Sequence, residues 1–155
     1  MGGDRESLKA AARSAVLDAV ADAGVEYERP EEGTFVVKLP GEHKLWTTCS
    51  LVVGDHTLSL NAFVARRPDE NHEGVYRWLL ERNTRLGSLA FALDRLGDVY
   101  LVGRLPLGLI TAETVDQLLG EAVADQPKRA ACSTAFSPKS ASWFGASSSR
   151  ATTVA

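Results

Sequence analysis

The stretch Leu89–Leu105 constrains the fold more than any other part of the chain. Apolar residues alternate on both sides of Asp94-Arg95-Leu96-Gly97-Asp98. A three-residue loop with Gly97 in the left-handed region then sets Leu93 opposite Val99 and Phe91 opposite Leu101. A two-residue loop would break that phase, because side chains along a strand alternate between faces with a period of two. The stretch predicts an antiparallel hairpin, and a hairpin is stable only as part of a larger sheet with an apolar side.

A second hairpin is predicted upstream. With Gly54-Asp55 as its loop, Leu51 faces Leu58, Cys49 faces Leu60, Thr47 faces Ala62 and Leu45 faces Val64 on the core side. On the other side Ser50 meets Ser59, Thr48 meets Asn61 and Trp46 meets Phe63. That side is polar apart from its aromatic pair, and such a cross-strand contact is worth roughly 0.2 to 1 kcal/mol. Val25 to Arg29 and a turn from Pro30 to Gly33 precede a further strand, Thr34 to Leu39, which Pro40-Gly41 ends.

Helical spacing marks three other segments. From about Asp4 to Ala23, Leu8, Ala12, Ala15, Val16, Ala19, Val20 and Ala23 recur on one side, and Gly24 supplies a stop. This alanine-rich face allows close approach to a broad surface such as a sheet. A second helix is predicted from Pro68-Asp69, with Asp69 as cap, to about Leu86-Gly87. Its apolar residues Val75, Tyr76, Trp78, Leu79, Leu80 and Leu86 span an arc of roughly 200°, wider than the stripe of an ordinary surface helix. Thr111 caps a third helix with a narrow apolar face of Val115, Leu118, Leu119 and Ala122. The order α-β-β-β-α-β-β-α implies an α+β protein, an antiparallel sheet with helices packed on one face.

The chain has 155 residues, 45% of them hydrophobic and 24% charged, which suits a single globular domain with a sizeable core. That domain is expected over residues 1–125. From Gln126 the hydrophobic period is lost and Ser, Ala and Thr dominate. Residues 126–155 read as a disordered tail or as the aberrant end left by a frameshift, with Trp143-Phe144 as a candidate short partner-binding motif. Charged residues interrupt every apolar run before it reaches the length of a membrane span, and Met1 to Leu8 carries both signs of charge with no hydrophobic segment. A cytoplasmic protein without membrane contact is expected.

The net charge of −3 hides an asymmetry: Lys128, Arg129, Lys139 and Arg150 are the only charged groups beyond residue 125, which leaves 13 basic and 20 acidic groups before it. A body this acidic repels a phosphate backbone, so nucleic acid is not expected as a partner. Cys49 and Cys132 make neither a disulfide framework nor a zinc site. His43, His56 and His72 lack ligand spacing. Asp94 and Asp98 meet across the mouth of the second hairpin, where a carboxylate pair can hold a cation; a turn-capping Asp94 beside an exposed Asp98 is the simpler reading. No phosphate-binding glycine loop and no nucleophile elbow is present. No cofactor, metal or catalytic residue is therefore expected.

One family resemblance is carried by Glu73-Gly74-Val75-Tyr76-Arg77-Trp78-Leu79-Leu80-Glu81-Arg82-Asn83 with Leu86, Phe91-Ala92-Leu93-Asp94, Gly97-Asp98-Val99-Tyr100-Leu101 and Gly103-Arg104-Leu105-Pro106-Leu107, followed by Thr111. In these residues the chain resembles the YbjN family, particularly its actinobacterial members, and in element order the type III secretion chaperone-like fold. The resemblance covers roughly residues 4–125 and is most specific over 70–107. It implies a small dimeric protein with a binding or regulatory role and no catalytic residues to carry over. Related proteins continue past the third helix with ordered, aromatic-containing sequence, from which this tail departs.

The expected function is that of a non-enzymatic protein-binding module, chaperone-like or regulatory, acting as a homodimer on an unidentified protein client. Tyr76 and Leu80 are the candidate dimer contact, and Trp46 and Phe63 the candidate partner face. The client would add along an exposed strand edge or cover apolar residues there. The alternative is a regulator that senses a small molecule held between sheet and helices. Because residues 126–155 lack periodic apolar positions able to offset ordering entropy, deleting them should move the thermal midpoint by only a few degrees in calorimetry.

Overall fold

A computed structural model describes residues 2–40 and 46–124. Helix α1 (Gly2–Ala23) leads into strands β1 (Tyr27–Glu31), β2 (Thr34–Pro40), β3 (Trp46–Val53) and β4 (Thr57–Ala65). Helix α2 (His72–Asn83), strands β5 (Leu89–Leu93) and β6 (Val99–Pro106), a 3₁₀ turn (Leu107–Leu109) and helix α3 (Ala112–Ala124) follow. The strands form one antiparallel six-stranded sheet in the order β1-β2-β3-β4-β6-β5. The protein is thus α+β. The fully exposed edge strand β1 joins the three strands expected before α2.

Phe35, Leu51, Leu58, Leu60 and Leu101 on one side of the sheet are completely buried, together with Val16 and Val20 of α1 and Leu118 of α3. The alanines of α1 serve close packing: Ala12, Ala19 and the two valines form its buried stripe. Lys9 reaches Asp55 in the β3–β4 loop at 3.1 Å, and Arg13 reaches Glu32 in the β1–β2 turn at 3.0 Å. The cations are half-buried and the carboxylates exposed, and the pairs orient the helix across the strand ends more than they stabilise it.

The second hairpin has the expected register. Leu93 pairs with Val99 and Phe91 with Leu101, and Gly97 sits at φ 84°. The first hairpin differs by two residues. Val53 pairs with Leu58, Leu51 with Leu60 and Cys49 with Ala62, so Ser50 lies opposite Asn61 and not Ser59. The turn is displaced from Gly54-Asp55 to Asp55-His56, because the Gly54 N–H donates to the Thr57 carbonyl at 2.9 Å and pairs these two residues across it. A shift of two leaves every residue on its predicted face and changes only its neighbour. Trp46 consequently pairs with Pro40 in the strand ladder, its side chain lies outside the described residues, and it does not stand opposite Phe63.

Helix α2 also begins later than Pro68-Asp69. The Arg67 N–H donates to the Asp98 carboxylate at 2.8 Å, tying this connection to the hairpin tip. Asn71 then takes the left-handed conformation (φ 54°) and places the first helical residue at His72. The wide apolar arc of α2 is used unevenly. Val75 and Leu79 are buried, Trp78 lies 6.0 Å from the Phe91 ring, Tyr76 is half-buried and Leu80 is exposed.

The end of α2 seals the edge strand β5. The side-chain oxygen of Asn83 accepts the Phe91 N–H at 2.7 Å, while its amide nitrogen donates to the Phe91 carbonyl at 3.2 Å, as a neighbouring strand would. Glu121 of α3 accepts the Ser88 N–H at 3.0 Å just before that strand. Replacing Asn83 with Ala leaves two part-buried backbone groups of Phe91 unpaired. It should cost about 1 to 3 kcal/mol in urea denaturation, the usual penalty for such groups.

Candidate functional site

The two faces of the sheet differ in what covers them. The face described above carries α1 and α3. On the other, the register aligns Val36, Ser50, Asn61, Val102 and Ala90 in one row across β2, β3, β4, β6 and β5. A parallel row contains Lys38 beside Thr48, then Phe63, Tyr100 and Ala92. Because successive residues alternate faces, these rows follow from the same period of two that builds the core.

Between the rows lies a groove of about 380 Å³, lined by Val36, Thr48, Ser50, Asn61, Phe63, Ala92, Leu93, Asp94, Tyr100 and Val102. The Phe63 and Tyr100 rings meet edge to face, with centroids 5.5 Å apart and planes at 78°, the arrangement favoured by aromatic quadrupoles. A bulge between Phe63 and Ala65 interrupts the β4–β6 ladder beside this pair. Thr48, Ser50 and Asn61 contribute hydroxyl and amide groups, and Asp94 is the charged residue of the lining.

Asp94 caps its hairpin turn. Its Oδ1 accepts the N–H groups of Leu96 at 2.8 Å and Asp98 at 2.9 Å. Asp98 is not the exposed residue expected from sequence: it is 7% exposed, and its carboxylate holds the Arg67 N–H. The two carboxylates therefore have separate structural tasks. Among the described residues no cluster of His, Cys, Asp and Glu has the makings of a metal site.

Of the residues singled out from sequence, Phe63 lies in the groove, with Thr48, Ser50 and Asn61 on its face as predicted. Trp46 cannot be placed there, since its side chain is outside the described residues, as is His43. Tyr76 and Leu80 belong to α2 and do not line the groove. Sequence reasoning missed Tyr100, the actual ring partner of Phe63. The β5–β6 register alone placed it on the outer face beside Ala92, but its meeting with Phe63 depends on the distant β4–β6 pairing.

The layer between sheet and helices contains the buried leucines and Phe35. Cys49 is part of this layer, and burial alone pushes its thiol up to about 12. No helix among the described residues is long and apolar enough to cross a membrane.

Comparison with known proteins gives one family. The model of the YbjN family, described as "Putative bacterial sensory transduction regulator", matches residues 12–125. Uncharacterized proteins of Mycobacterium leprae, Mycobacterium bovis and Mycobacterium tuberculosis are each 51% identical to this chain over 86 residues, 56% of this chain and 47% of each relative. The chain thus matches about half the length of these curated relatives.

The Cys49 thiol should resist alkylation at pH 8 in the native protein and react once urea unfolds it, measured by mass spectrometry in a Cys132→Ser background. Its neutral form is favoured by the fold, with ionisation near 9.0 unfolded and at about 12 folded. The associated stability is complete below pH 9 and is lost as pH rises from there towards 12.

Proposed function

The chain belongs to the YbjN family, and we propose that it is a non-enzymatic protein-binding module of regulatory character, working as a homodimer and engaging its partner with the open sheet face. The observation that carries this reading is the groove on that face, together with features of both sheet edges that oppose strand addition. At one edge, β1 has Pro30, the charged Glu28 and Glu31, and a register break between those two glutamates. Proline, charge and irregularity are the usual means of blocking strand addition. At the other edge, Asn83 occupies the Phe91 backbone. Addition of a client strand along an edge is therefore disfavoured, and a partner would be read by side chains inserted into the face.

Helix α2 supplies the proposed contact between two copies. Leu80 is 67% exposed on a helix whose Val75 and Leu79 are buried, and Tyr76, half-buried with its ring 5.9 Å from that of His72, lies one turn before it. A second reading draws support from the groove's size. Small-molecule sites commonly measure about 300 to 1,000 Å³, a range that includes this groove on the outer face.

Affinity capture from the native cell with the full chain tests the proposal. Asn61→Arg, which fills the groove from an exposed position without emptying the core, should reduce recovery of a reproducible polypeptide partner by about tenfold or more, as loss of a central interface site does. Unchanged recovery would refute the assignment of the face, and a co-purifying metabolite without a polypeptide would favour the second reading. In sedimentation at micromolar concentration the unaltered protein should run as a dimer and Leu80→Glu as a monomer. A monomeric unaltered protein would refute the α2 contact.

A further inference from the structure

We propose that the groove receives a cationic side chain on an apolar stem, the Arg or Lys of a partner polypeptide, held between the Asp94 carboxylate and the Phe63–Tyr100 pair. The proposal rests on the reading of the open face as the partner surface and names the chemistry that surface selects. Three observations lead to it. Asp94 is the one charged residue of the lining. Its Oδ1 is committed to the turn, whereas its second oxygen has no hydrogen-bond partner and the carboxylate no ion pair among the described residues. The aromatic pair lines the same groove, and aromatic rings attract cations and accommodate their methylene stems.

Charge elsewhere points the same way. Lys38, the cation in the same row as Thr48, is already bound to Glu26 at 2.8 Å and does not neutralise the groove. Residues 1–125 carry seven more acidic than basic groups, a field that draws cationic segments towards the face and repels acidic ones. A volume of about 380 Å³ accommodates one long side chain with its flanking backbone and is too small for a folded element.

The test uses the full ¹⁵N-labelled chain and the synthetic peptide acetyl-Ala-Leu-Arg-Leu-Ala-amide, with Glu or Leu in place of Arg as controls. The Arg peptide should give saturable amide shifts at Ser50, Asn61 and Val102, while the Glu peptide gives none. Asp94→Asn retains an acceptor for the turn, since Asn forms the same local hydrogen bonds. It should weaken the Arg peptide roughly fivefold or more, the scale of one ion pair reinforced by cation–π contact, and leave the Leu peptide unchanged. Saturable binding of all three peptides with no effect of Asp94→Asn overturns the cation inference while sparing the assignment of the face. Absence of any saturable shift overturns both. Shifts at those amides on dilution of the protein alone would assign the groove to a second copy and likewise overturn the proposal.

Discussion

The pairing of β4 with β6 is the seam on which the structure depends. Each hairpin satisfies its own local chemistry, but neither alone has a face broad enough to bury α1 and α3. The seam runs from Thr57 opposite Pro106 to Ala65 opposite Val99, joining the two hairpins into one six-stranded surface. On one side it completes the layer of Leu58, Leu60, Ala62 and Leu101, all essentially inaccessible. On the other it brings together Phe63 and Tyr100, which no local pattern connects. Core and groove are two outcomes of one register.

The fold was legible in sequence wherever the relevant physics is local. The loop from Asp94 to Asp98 combines a side-chain turn cap with a left-handed glycine, and together they leave a single phase for the strands around it. The first hairpin lacked such a constraint. Its apolar period remains satisfied when one strand slides by two residues, so faces could be read from pattern while partners could not. Thr48, Ser50 and Asn61 were therefore placed on the outer face correctly, although Ser50 and Trp46 were given the wrong neighbours. The later start of α2 follows the left-handed conformation of Asn71, which no pattern of apolar residues signals.

The segment that carries the family resemblance acquires physical content from this arrangement. Asn83 imitates a strand at the sheet edge, and Gly74 leaves room for the Asn71 amide, which would lie 2.6 to 2.9 Å from any β-carbon there. Gly97 accommodates the stem of Arg67, 3.0 Å from where a β-carbon would stand. These residues fix α2 against the second hairpin.

The β4–β6 seam also imposes an order on folding. A hairpin closes a loop of a few residues in microseconds, whereas the seam forms only after the ends of a connection containing all of α2 have been brought together, at a larger entropic cost. Until then β4 is itself an edge strand, with Leu58, Leu60 and Ala62 uncovered along one side. Ser59 and Asn61 alternate with these residues and break the continuous apolar ribbon that would favour intermolecular pairing. The polar residues beside the groove thus serve the nascent chain as gatekeepers before they belong to any binding surface.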